Sequence, residues 1–89
     1  MKKTNGLMIR RLGTEAMLVA ESTDLIDFDR IVSLNSSAAY IWESLTDTDF
    51  DIDTIAGLLT DRYNVDEATA RADARELADI WLKAGAIHQ

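Results

Sequence analysis

Residues 31–45 read IVSLNSSAAYIWESL, and this stretch changes period at its middle. Ile31–Leu34 is a short run opened by two β-branched residues, the composition of a strand. From Ala38 onward the apolar residues recur as they do on a helix. At about 100° per residue, Ala38, Ile41, Trp42 and Leu45 share one face, while Tyr40 and Glu43 point away. Only Asn35 and two serines lie between. Asn35 or Ser36 can accept a hydrogen bond from a free backbone N–H of the first turn and so cap the helix. A strand that feeds a helix with almost no loop is held firmly in place.

Working outward, Leu7–Leu12 and Ala16–Glu21 read as two more strands, with Gly13, Thr14 and Glu15 as the turn. A turn near Ser22–Asp24, extended chain at Leu25–Phe28 and a tight turn at Asp29–Arg30 are expected before the third strand. Downstream, Asp51 is a good N-cap for a helix over Ile52–Tyr63. Its apolar face would carry Ile52, Ile55, Ala56, Leu59 and Tyr63, and Asn64 would stop it. Asp66 opens a third helix that runs to Ala84 and ends at Gly85. The order β-β-β-α-α-α predicts an α+β fold. At 89 residues, a single domain over 1–89 is expected.

Charge narrows the function. Sixteen acidic residues stand against nine basic ones, a net charge of −7. A nucleic-acid binder gains much of its affinity from Lys and Arg on phosphates, so no nucleic-acid partner is expected. The chain has no run of about 18 apolar residues, and no membrane partner is expected. MKKTNGLMIRR at the start lacks the apolar stretch of a secretory signal, and there is no cysteine, which fits the cytoplasm.

Three motifs invite a site. TDTDFDIDT places aspartates at 47, 49, 51 and 53, like the start of a calcium loop. That loop needs Gly at its sixth position and Glu at its twelfth, and counting from Asp47 those positions hold Ile52 and Leu58. Helix capping and a solvated acidic loop account for the run, and no metal or other cofactor is expected. Catalysis needs a nucleophile and a base within mutual reach, and the one histidine is His88, next to the last residue. No catalytic residue is assigned, and the chain reads as a non-enzyme. Trp42 and Trp81 both lie on apolar helix faces and read as core.

The third helix has more apolar surface than one face needs. Ala70, Ala74, Leu77, Trp81 and Ala84 form the expected core stripe. One flank carries Arg71, Arg75, Ala78 and Leu82; the other carries Thr69, Asp73, Glu76, Ile80 and Lys83. The first flank concentrates positive charge on an acidic chain. Two readings fit it: surface ion pairs with an ordinary exposed leucine, or one wall of a groove. In the second reading the opposite wall is a sheet edge, where an extended peptide adds as another strand. The edge expected is Ile31, Val32, Ser33 and Leu34, preorganised by the helix that follows.

Together these residues resemble the PqqD-like family, named for protein D of pyrroloquinoline quinone biosynthesis. The likeness rests on a strand ending in Leu34-Asn35, Ala38 or Ala39, the pair Ile41-Trp42, and the junction Tyr63-Asn64-Val65-Asp66. Asp73 in the third helix and the closing pattern Trp81-x-x-x-Gly85-x-Ile87 complete it, with Trp81 where leucine is usual. The resemblance covers residues 7–87. It implies a winged-helix-like fold with a three-stranded antiparallel sheet followed by three helices. It also implies a recognition element that holds the leader of a ribosomally made precursor peptide and presents it to a peptide-modifying enzyme, a radical SAM enzyme above all. The leader is expected as a strand beside the third strand, with the third helix as the other wall. Assigning Arg71, Arg75, Ala78 and Leu82 to that wall comes from the helical wheel. A homodimer through the Ile80 or Leu82 flank and a DNA-binding winged helix are the alternatives. Against the second, the helix Ile52–Tyr63 holds one arginine and two aspartates.

Overall fold

A computed structural model describes residues 1–20, 32–46 and 48–89. The elements expected at Ser22–Asp24, Leu25–Phe28 and Asp29–Arg30, together with Ile31 and Asp47, lie outside the described residues. The chain runs β1 (Lys2–Lys3), β2 (Leu7–Leu12), β3 (Glu15–Ala20), β4 (Val32–Leu34), α1 (Ser36–Ser44), α2 (Ile52–Arg62), α3 (Glu67–Ala84) and β5 (Ile87–His88). This is the α+β class expected: a three-stranded antiparallel sheet in the order β2-β3-β4, with three helices. A second antiparallel ladder, in which Lys2 faces His88 and Lys3 faces Ile87, joins the two ends of the chain and was not foreseen.

Side-chain alternation sets the sheet's inner face. Ile9, Leu18 and Val32 stand in one cross-strand row, and Ala16 and Leu34 stand in the next. Leu18, Ala16 and Leu34 are buried, whereas Ser33 between the two β4 apolar residues is exposed. Gly13 turns the β2–β3 hairpin with φ +62°, a conformation other residues adopt at a cost.

Each helix starts on a side-chain cap. Asn35 accepts from the Ala38 N–H at 2.8 Å. Asp51 accepts from the Thr54 N–H at 2.9 Å, and Asp66 accepts from the Thr69 N–H at 3.1 Å. α3 closes on Gly85 at φ +81°, where the Ala86 N–H reaches back to the Trp81 carbonyl. Beyond it, Thr4 donates its N–H to the Ala86 carbonyl and its hydroxyl to the Gly85 carbonyl, so the end of α3 is tied to the start of the chain.

The core lies between the sheet and the helices. Trp42 and Trp81 meet edge to face with ring centroids 5.3 Å apart, and Lys3 sits 4.8 Å above the Trp42 ring. Both tryptophans are buried, as their helical faces predict. Tyr40, expected to point away, is half-buried and packs edge-on against Tyr63.

The stripe of α3 differs from the expected one. Ala70, Ala74, Ala78 and Trp81 are the buried residues, while Leu77 and Ala84 are only half-buried. Three alanines spaced by four residues make a ridge of small side chains on the core side of α3, where α2 packs along it. Weighting a helical wheel by hydrophobicity centres it on Leu77. The core instead closes around the small residues, and the stripe turns toward Ala78.

Candidate functional site

β4 is an edge. The sheet order places β3 on one side of it, and among the described residues no strand pairs with its other side. Its last residue runs straight into the Asn35 cap, where the Ser37 hydroxyl also bonds the Asn35 carboxamide oxygen at 3.0 Å. The edge is thus held at one end by the first turn of α1 and along its length by β3. An unpaired edge held this rigidly loses little freedom when another strand joins it.

A groove of about 320 Å³ opens where β4 ends. Asn35 and Ser37 stand at its mouth, and Ala38, Ile41 and Leu59 line its apolar base. Its far wall is α3, through Asp73, Glu76, Leu77 and Ile80. Ile80 is 49% exposed, one of the few large apolar side chains so open to water among the described residues. The wall carries two carboxylates, and among the described residues the lining holds no cation.

The other flank of α3 faces elsewhere. The Arg71 guanidinium pairs with Asp53 at the start of α2 and with Glu67 one turn back. These two acids, Asp53 foremost, hold the Arg71 proton more tightly than usual. Arg75, Ala78 and Leu82 border a second cavity of about 440 Å³, together with Met1, Phe50 and Ile52. Ala78 is 3% exposed, so it belongs to the core and not to a surface wall.

The structure therefore sorts the residues expected at the site into two groups. Val32, Ser33 and Leu34 lie together in β4. Arg71, Arg75, Ala78 and Leu82 lie together on α3, but toward α2 and the chain's first residue. Val32, Ser33 and Leu34 line neither the groove nor the second cavity, and Ile31 lies outside the described residues. The groove lined by Asn35, the residue after β4, is walled by the opposite column. Its signal was present in the sequence: Ile80 stands out of the core stripe, one helical turn beyond Glu76 and two beyond Asp73.

The acidic run at 47–53 is largely accounted for by local structure. Asp49 takes a hydrogen bond from the N-terminal ammonium, which holds its carboxyl below the usual range. Asp51 caps α2 in a reciprocal pair with Thr54 and is lowered by it, and Asp53 meets Arg71.

The sequence profile described as coenzyme PQQ synthesis protein D (PqqD) matches residues 15–87, most of the chain. The chain belongs to the PqqD family. The match takes in β3, β4 and all three helices, and so both walls of the groove. This PqqD-family fold is also that of a solved structure, TbiB1 in complex with the TbiA(beta) leader peptide. The two superpose with a TM-score of 0.72 over 97% of this chain and 93% of that one, at 19% identity. No curated protein matches the chain significantly in sequence.

Proposed function

We propose that the chain is a non-catalytic adaptor that binds the leader of a ribosomally synthesised precursor peptide and presents the peptide to a maturation enzyme, first of all a radical SAM enzyme. The leader adds as a strand to the free edge of β4, the backbone of residues 31–34 supplying its hydrogen bonds. It then runs into the groove against α3. The observation that carries this reading is the adjacency of edge and groove along the chain: β4, whose outer side pairs with no strand among the described residues, ends at Leu34, and the next residue, Asn35, lines the groove with the apolar Ala38, Ile41 and Leu59. Membership in the PqqD family supports it, and so does a shared fold with TbiB1, which was solved holding a leader peptide. The groove wall in this reading is the Asp73, Glu76, Leu77 and Ile80 side of α3. The Arg71 side is engaged with α2.

Holding is the whole of the work. A leader fixed on the adaptor raises the effective concentration of the attached core peptide at the enzyme, to the millimolar range for a short flexible link. One domain over 1–89 suffices for this, acting in the cytoplasm where such peptides are made. No helix among the described residues is long and apolar enough to cross a membrane.

The test is an NMR titration of the isotope-labelled chain with the leader of a short peptide encoded beside its gene. Amide shifts concentrated on Val32–Leu34 and on Asp73–Ile80 are expected. Saturable binding with shifts confined to the Met1, Phe50 and Leu82 side would refute strand addition at β4. A folded chain with no shift toward any neighbouring leader would refute the adaptor role.

A further inference from the structure

The charge of the groove specifies its occupant more narrowly than the family does. Asp73 and Glu76 lie three residues apart on one face of α3. Like charges at that spacing repel and destabilise a helix. They lie beyond the first turn, so the helix dipole does little to offset the repulsion. Many other described acids have local partners. Asp51 and Asp66 cap helices, Asp49 meets the N-terminal ammonium, Asp53 and Glu67 share Arg71, Glu43 meets Arg11, and Asp79 meets Lys83. Among the described residues, Asp73 and Glu76 have no ion-pair partner, and the apolar cleft that both border has no cation in its lining.

We infer that the leader is selected for a basic residue: an apolar side chain settles on Ala38, Ile41 and Leu59, and a Lys or Arg close to it in sequence reaches Asp73 and Glu76. This rests on the leader-binding reading above. The chemistry is complementary on both counts. The aliphatic stem of a Lys or Arg covers Ile80 and Leu77 while its charged end stays at the acids and in water. Arg adds the further fit of a planar fork to a carboxylate. The opposite flank of α3 would have selected an acidic leader, so the sign of the charge reports which wall the peptide uses.

A displayed library of short random peptides, panned on the purified full chain, tests this. Enrichment of Lys or Arg beside an apolar residue is expected. The best enriched peptide should bind the double variant Asp73→Asn/Glu76→Gln about three- to tenfold more weakly, the loss expected for two partly solvated ion pairs. Its affinity should fall as salt rises from about 50 mM to about 0.5 M. The control Glu15→Gln/Asp61→Asn alters the net charge equally, away from the groove, and should bind as the parent does. Enriched peptides that shift the Val32–Leu34 amides yet carry no basic residue would overturn the inference and leave the adaptor role intact. So would equal weakening in the two double variants, which would reduce the effect to overall charge. A folded chain that enriches no peptide would overturn both.

Discussion

Shortening Ile80 and Leu82 in turn separates the two flanks of α3. Ile80 is 49% exposed, so about half of its side chain still faces water in the free protein. Full burial of an isoleucine contributes about 1.5–3 kcal/mol. A peptide that covers the remaining half gains about 0.7–1.5 kcal/mol from it, and Ile80→Ala should raise Kd about three- to twelvefold. The same substitution should alter folding stability little, because the packing lost is partly offset by alanine's better helix propensity. Leu82 is half-buried against the core on the other side, so Leu82→Ala should behave in the reverse way. Stability should fall by about 1–2 kcal/mol, toward the low end for a leucine because the site is partly open. Kd should stay within about twofold of the parent, as surface contacts outside a binding site usually do. Fluorescence polarisation with a labelled binding peptide gives Kd, and urea unfolding followed by circular dichroism gives stability. A larger Kd change for Leu82→Ala than for Ile80→Ala, with both variants folded, would refute the placement of the groove.

Acid should unfold the chain partly through its helix caps. Asp51 is held below 3.8 by the Thr54 N–H and hydroxyl, and Asp66 is held below 3.8 by the hydroxyl and N–H of Thr69. A carboxyl lowered on folding contributes stability that is fully present above the unfolded value and is lost as pH falls through the folded one. Urea midpoints should therefore drop as pH falls below about 4. Asp51→Asn/Asp66→Asn, which keeps a capping oxygen and removes the titration, should flatten that slope; an unchanged slope would assign it to other acids. Gly85→Ala should cost about 1–2 kcal/mol by urea unfolding, because φ +81° strains an L residue although no atom lies within 4 Å of the added carbon. A neutral result would mean that the end of α3 relaxes freely despite its bonds to Thr4.

What the sequence disclosed depended on how each feature is encoded. The strand-to-helix change at Asn35, the caps at Asp51 and Asp66 and the stop at Gly85 were legible because each is a local rule on a single residue type. β1 and β5 were not, since two residues cannot display a period and their pairing is settled by the rest of the fold. The rotation of α3 was missed for a different reason. Ala70 and Ala74 were placed in the core stripe, but alanine carries little weight on a hydrophobic wheel, so Ala78 was left on a flank while Leu77, which is only half-buried, took the centre. The rotation buries Ala78 and leaves Ile80 exposed beside the groove. The arginines drew attention as positive charge on an acidic chain, although Arg71 is satisfied by acids from two helices, one of them distant in sequence.

The ladder between β1 and β5 bears on the order in which the molecule assembles. The β2–β3 hairpin and the three capped helices are made of contacts near in sequence and can form early. Lys2 and Lys3 must find Ile87 and His88 across the entire chain, and such distant pairings form late. The thermodynamic penalty for closing so long a loop grows only logarithmically with its length. Two residues per strand give the ladder little strength of its own, so it should also open first in native-state hydrogen exchange. The last latch to close and the first to loosen is then the one that holds the far end of α3.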